Sequence, residues 1–149
     1  MVSWQNTVGR ADKAFAALTE EQFQREVAPG KNRIIYLLGH LTAINDAMHP
    51  ILGIGERLHP ELDSMFISEP DRATEVLPAV AELMKDWAEV NGSLSEKLAR
   101  FTAQDWLQRH TAVSDEDYAK DPTRNRLTVL LSRTNHLSYH LGQIILARR

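Results

Sequence analysis

Two histidines four residues apart, His136 and His140, stand in the last strongly amphipathic stretch of the chain. On an α-helix such a pair lies one turn apart on one face, with Cβ atoms about 5–6 Å apart, so both imidazoles can close on one metal ion. The same spacing also suits two independent surface histidines. A third histidine, His40, adds weight because it sits among Leu37, Leu38, Leu41 and Ile44. An imidazole in apolar surroundings needs a partner, and that partner can be a core polar group or a metal. If His40 faces the other two, three neutral imidazoles make a divalent-cation site with positions left for water or substrate. Affinity for the ion should then fall below about pH 6.5, where ordinary imidazoles take up protons. Gly39, just before His40, either admits a close neighbour or is a packing residue.

Other candidates are weaker. His49 follows His40 by nine residues, about 900° of helical rotation, which places it on the opposite face. His49, His59 and His110 are therefore read as surface residues. Gln143 shares the side of the helix that carries His140, where it suits either a hydrogen bond to a ligand ring or plain packing. Arg133 and Asn135 border the same surface. Tyr36 is one turn before His40 and suits a core or rim position better than a metal-facing one. Trp4, Trp87 and Trp106 read as core. Asp115, Glu116 and Asp117 read as a solvated loop.

The elements that must bring these residues together are helical. Trp4, Val8, Ala11, Phe15 and Leu18 recur at helical spacing and predict helix one over about 3–18. Thr19 and Gln22 have capping-box spacing for a short following turn, and Pro29-Gly30 breaks the chain. Helix two is expected from an Asn32 N-cap to about Leu52, with Pro50 kinking or ending it. Residues 53–73, rich in Gly and Pro, read as an unusually long connection, of the kind that is often functional. Helix three is expected from about Pro78 to Arg100, with Gly92 inside it. Thr102 can cap a short turn through Trp106, and 107–121 read as irregular, with a short extended piece at 110–113. Pro122 is expected to open the last helix, about 123–147, with Arg148 and Arg149 at its negative end. No β-alternation, repeat or low-complexity tract interrupts this pattern. The fold class expected is all-α, a four-helix bundle with a long connection between helices two and three, forming one domain over 1–149.

Composition narrows the function. Hydrophobic residues at 43% and charged residues at 25% fit a globular chain rather than a disordered one. Lys+Arg 17 against Asp+Glu 20 gives a net charge of -3, which argues against nucleic-acid binding through a broad basic face. Cysteine is absent, so the chain supplies no disulfide, thiolate ligand or cysteine nucleophile. The N-terminal stretch lacks the apolar core of a signal peptide, and no run reaches the length of a membrane span. A cytoplasmic protein is expected.

The segments NRIIYLLGHLTAIND (32–46) and NHLSYHLGQI (135–144) resemble the two signature regions of the DinB/YfiT-like family of metal-binding four-helix bundles. The order of the motifs agrees, with one histidine in helix two and two in the last helix. The resemblance implies a divalent metal, commonly nickel or zinc, held by His40, His136 and His140. It implies either a metal-dependent enzyme, a thiol-dependent S-transferase or a hydrolase, or a non-catalytic metal-binding stress-response or interaction protein. The expected partners are a small-molecule substrate, with low-molecular-weight thiols among the candidates, and a second copy of the chain in a homodimer. Family members often carry Arg after the last histidine; Leu141 stands here and removes that cation. No Glu stands at the H-E-x-x-H position, which weighs against peptide hydrolysis.

Overall fold

The computed structural model describes residues 1–74 and 76–148. Among them the regular elements are helices: α1 (Val2–Ala16), α2 (Glu20–Phe23), α3 (Ile34–Asp46), α4 (Met48–Ile51), a π turn (Ser64–Ser68), α5 (Val80–Leu98), α6 (Ala103–Trp106), α7 (Asp115–Lys120) and α8 (Arg126–Ala147). The expected extended piece at 110–113 is a turn instead. Among the described residues, extended pairing is limited to two isolated bridges, Glu26 with Arg33 and Arg109 with Asn125.

The four long helices fall where the apolar periodicity placed them. Helix α3 is the central one: it is buried almost all round and packs against α5, α8 and the π turn, while α1 packs on α8. Trp4, Phe15 and Trp87 are core residues; the Phe15 and Trp87 rings meet edge to face at 5.6 Å, and the Trp87 indole donates to Asp12 at 2.7 Å. Trp106 is partly buried against Phe101. The Thr19–Gln22 capping box forms as expected. A second box forms at Thr102, closed by Asp105.

Helix boundaries differ from the sequence reading at three places. Asn32 does not cap α3. Its carbonyl accepts from Val27, and Ile34 N–H bonds back to Arg25, so the cap position passes to Arg33. The carboxylate of Asp71 accepts from Arg33 N–H at 2.8 Å, a remote anion at the positive end of the helix. The second difference is the expected long helix through Leu52, which breaks at Ala47. Pro50 has no N–H for the Asp46 carbonyl, and the His49 ring takes that carbonyl at 3.0 Å. Finally, α8 begins at Arg126 rather than after Pro122, because Asn125 caps it through Thr128 N–H at 3.0 Å. Pro122 lies instead in a turn held by Asp121. The acidic run 115–117 is the exposed first turn of α7, capped by Ser114, rather than a loop. Leu131 is exposed and does not join the buried stripe of α8, and Arg149 lies outside the described residues.

The long connection is laced back along α3. Asp46 accepts from Leu58 and His59 N–H near one end of α3. Phe66 lies over Gly39 in the middle, Tyr36 O–H donates to Glu69 at 2.8 Å further along, and Arg33 forks onto Asp71 at the other end. Gly39 is required by this arrangement: a Cβ there would lie 2.4–2.6 Å from atoms of the buried Phe66 ring. Gly39→Ala should therefore cost about 1–3 kcal/mol, the usual cost of overpacking, read as a lower thermal midpoint. An unchanged midpoint would show that the π turn yields freely.

Candidate metal centre

Helix α8 carries two adjacent stripes. Leu130, Thr134, Leu137, Leu141 and Ile144 are buried in the core. Beside them Arg133, His136, His140 and Gln143, again at three- and four-residue steps, are half-buried. Helix α3 presents His40 to this second stripe. His40 Nε2 lies 3.3 Å from His136 Nε2, and His140 Nε2 lies 3.1 Å from the same atom. The rings meet nearly edge to face, with centroids 4.6–5.5 Å apart. One ligand atom from each of the three falls within 4.8 Å of the others, so the trio can hold a metal ion. Among the described residues no carboxylate belongs to this group.

The outward nitrogens decide the chemistry of the inward ones. His40 Nδ1 stands 2.7 Å from the Phe66 carbonyl, which can only accept, so this nitrogen carries the proton. His140 Nδ1 donates to Gln143 Oε1 at 2.8 Å. In a neutral imidazole with Nδ1 protonated, Nε2 is a lone pair. Two lone pairs thus converge on His136 Nε2, which has at most one proton to share between them. Burial, then the neighbouring His140, His40 and Arg133, push the pKa of His136 down to about 4. Burial also lowers that of His140, against the bond to Gln143. A cluster of neutral nitrogens turned inward is a donor set suited to a cation. Bonds of about 2.05 Å at tetrahedral angles would separate neighbouring ligand nitrogens by about 3.3 Å, and right angles would give about 2.9 Å. The two observed separations lie in that interval, so the donor set fits a divalent ion.

The low pKa of His136 moves the expected onset of proton competition. At this ring it starts well below pH 6.5, the value for ordinary imidazole. Nuclear magnetic resonance titration of the metal-free protein should show His136 titrating near pH 4; a midpoint above 6 would contradict the burial argument. The unfolded chain protonates this ring near 6.5 and the folded one only near 4. Between those values the unfolded state binds more protons, so this ring's contribution to stability is lost as pH falls through that window.

The remaining candidates lie elsewhere. His49 is fully buried rather than at the surface, its Nδ1 against Asp46 and its Nε2 3.0 Å from Ser93 Oγ. His59 is half-buried beside Glu61, Asp86 and Glu89, and His110 is half-buried in a separate cleft. The surface reading of all three is corrected: α5 lies against His49 through Ser93 and against His59 through Asp86 and Glu89, and His110 lies in a cleft beside Ile51 and α8. Tyr36 spends its hydroxyl on backbone carbonyls, but its ring stacks parallel to His40 with centroids 6.2 Å apart. Leu141 points into the core. A cleft of about 440 Å³ opens beside His140, lined by Val27, Ala28, Lys31, Tyr139 and Gln143 among others. The Phe66 carbonyl had no sequence signal, because a backbone acceptor supplied across a connection leaves no side-chain trace.

An all-helical protein with three inward-turned histidines on two helices is the class that this fold and site define. The sequence model of the DinB superfamily matches residues 4–144, and the chain belongs to that superfamily. Comparison with the curated proteins gave no significant match. No described helix is long and apolar enough to cross a membrane.

Proposed function

We propose that the protein is a metal-dependent enzyme whose divalent ion, nickel or zinc, is bound by His40, His136 and His140, with thiol-dependent S-transfer favoured over hydrolysis. The observation that carries this reading is the pair of Nε2 lone pairs aimed at a third imidazole, with their outer nitrogens already committed to Phe66 and Gln143. Three ligands leave positions for a further group, whereas structural zinc is usually closed by four. An ion held there supplies Lewis acidity and lowers the pKa of a bound water or thiol.

The chain's own contribution is orientation and exclusion of protons. Phe66 and Gln143 fix two rings and their tautomers, and burial keeps His136 neutral. The cleft beside His140 gives a small molecule access, with Tyr139 as a wall and Lys31 at its edge. Among the described residues no carboxylate belongs to the histidine group, so none is built into it to serve a water nucleophile. A thiol, already far more acidic than water, needs that help least. This is why S-transfer is preferred. The four long helices are read as the bundle, and pairing of two copies through helix faces belongs to the same proposal; light scattering should then give about twice the 16.9 kDa of one chain.

The test incubates metal-loaded protein with a low-molecular-weight thiol and an electrophile and follows the adduct by mass spectrometry, with ester and amide hydrolysis in parallel. Adduct formation lost in His136→Ala supports S-transfer. Metal bound stoichiometrically with no turnover in any arm would leave a non-catalytic metal-binding protein.

A further inference from the structure

A second cleft, of about 340 Å³, lies between α4, the segment before α7 and the N-terminal half of α8, lined by Ile51, His110, Thr128, Ser132 and Arg133 among others. Two of its polar nitrogens are unspent, and in its Nδ1–H tautomer His110 is a donor as Arg133 is. Arg133 Nε and His110 Nδ1 are both shielded from solvent, and neither has a hydrogen-bond partner among the described residues. Of the neighbouring cations, Arg109 pairs with Asp115 at 2.7 Å and Arg124 approaches Asp117 at 3.9 Å, whereas the Arg126 guanidinium rests 5.2 Å from the centroid of the Phe101 ring with its Nε also without a hydrogen-bond partner among the described residues. Arg133 has no carboxylate within ion-pair distance among the described residues, and burial alone lowers its pKa. A half-buried, unpaired guanidinium is costly, and its fork matches two oxygens of one anion. Thr128 and Ser132 line the same cleft, the Thr128 hydroxyl donating to the Thr123 carbonyl.

We propose that Arg133 and His110 form an oxyanion-binding subsite in this cleft, which takes a carboxylate or phosphate group of the substrate. Its link to a substrate rests on the metal-centre reading above. Arg133 precedes His136 by three residues on the same stripe of α8, about 4.5 Å along the axis. The subsite thus selects anionic substrates, with the oxyanion roughly a helical turn from the reacting group.

The test titrates metal-free protein with inorganic phosphate and, separately, acetate, at constant ionic strength with chloride as the control, by calorimetry. Saturable binding of phosphate alone or acetate alone identifies the group; binding of both assigns a general oxyanion site. Arg133→Gln should weaken binding roughly tenfold or more, and Arg133→Lys should retain part of it. His110→Ala should weaken it too, and provides the same test if Arg133→Gln does not fold. No saturable binding by the wild-type chain, or equal binding by Arg133→Gln and His110→Ala, overturns the proposal. A separate metal titration of the same proteins distinguishes the two readings. Oxyanion binding without metal binding leaves the subsite standing and removes the metal centre; metal binding without oxyanion binding does the reverse.

Discussion

Protein purified without a histidine tag is expected to carry one divalent ion per chain, and alanine at His40, His136 or His140 should each weaken its binding roughly 100-fold or more. The size follows from the geometry. Each ring offers one Nε2 to a shared centre, with no fourth ligand among the described residues to take over, so removing one leaves two nitrogens and a wetter site. Gln143→Ala should cost about 10–100-fold, because it frees His140 to rotate and change tautomer. His49→Ala should leave metal affinity unchanged, since that ring is bound to Asp46 and Ser93 instead. Elemental analysis and competition titration with a chelating dye read all five variants. Equal affinity in wild type and His40→Ala would remove His40 from the centre.

The largest loss of stability is expected at Asp46. Its carboxylate is fully buried and accepts from Leu58 N–H and His59 N–H at 2.9 Å and from Arg57 at 3.3 Å, with His49 Nδ1 3.2 Å away. Burial would raise its pKa, but these bonds, His49 first among them, hold it well below the usual carboxylate range. Asp46→Ala strands several buried donors at once and should cost about 3–5 kcal/mol, measured by urea unfolding. The sign of the pH dependence follows from the depressed pKa. Stability from Asp46 is fully present above about pH 4, where the unfolded carboxylate ionises, and is lost as pH falls further. The gap between wild type and Asp46→Asn should therefore be constant near neutrality and close in acid. A gap unchanged down to pH 2 would show that the charge contributes nothing.

Much of this was legible because it depends on local periodicity. The four long helices follow from apolar spacing alone, and α8 places His136 and His140 side by side wherever the helix sits. That His40 meets them is a tertiary fact, suggested only by an imidazole in an apolar helix and by the family resemblance. The misread positions share a physical cause. The α3 start depends on backbone pairing of 25–27 with 32–34 and on Asp71, His49 on Ser93 of α5, and the Phe66 carbonyl on the connection returning over α3, and no short-range pattern encodes those meetings. Asp46 and His49 were the available signal: two polar residues at i, i+3 beside Pro50 could satisfy the carbonyl that proline orphans. The Ser114 cap before three acidic residues was likewise a local helix-start pattern, hidden by the polarity of its surroundings.

The pairing of α1 with α8 bears on how the chain acquires its structure during synthesis. Helix α1 finds its principal neighbour only after Arg126 and the residues beyond it have been made. Until then the face of α1 that packs on α8 lacks its cover, although Phe15 can already meet Phe23 and Trp87, and α3, its connection and α5 can condense around Gly39 and Asp46. Closure of so long a loop costs little more than closure of one half its length, but it comes late. A nascent chain stalled before α8 would expose an aromatic amphipathic helix and lack two of the three histidines of the candidate centre, a form for chaperones or proteases to handle.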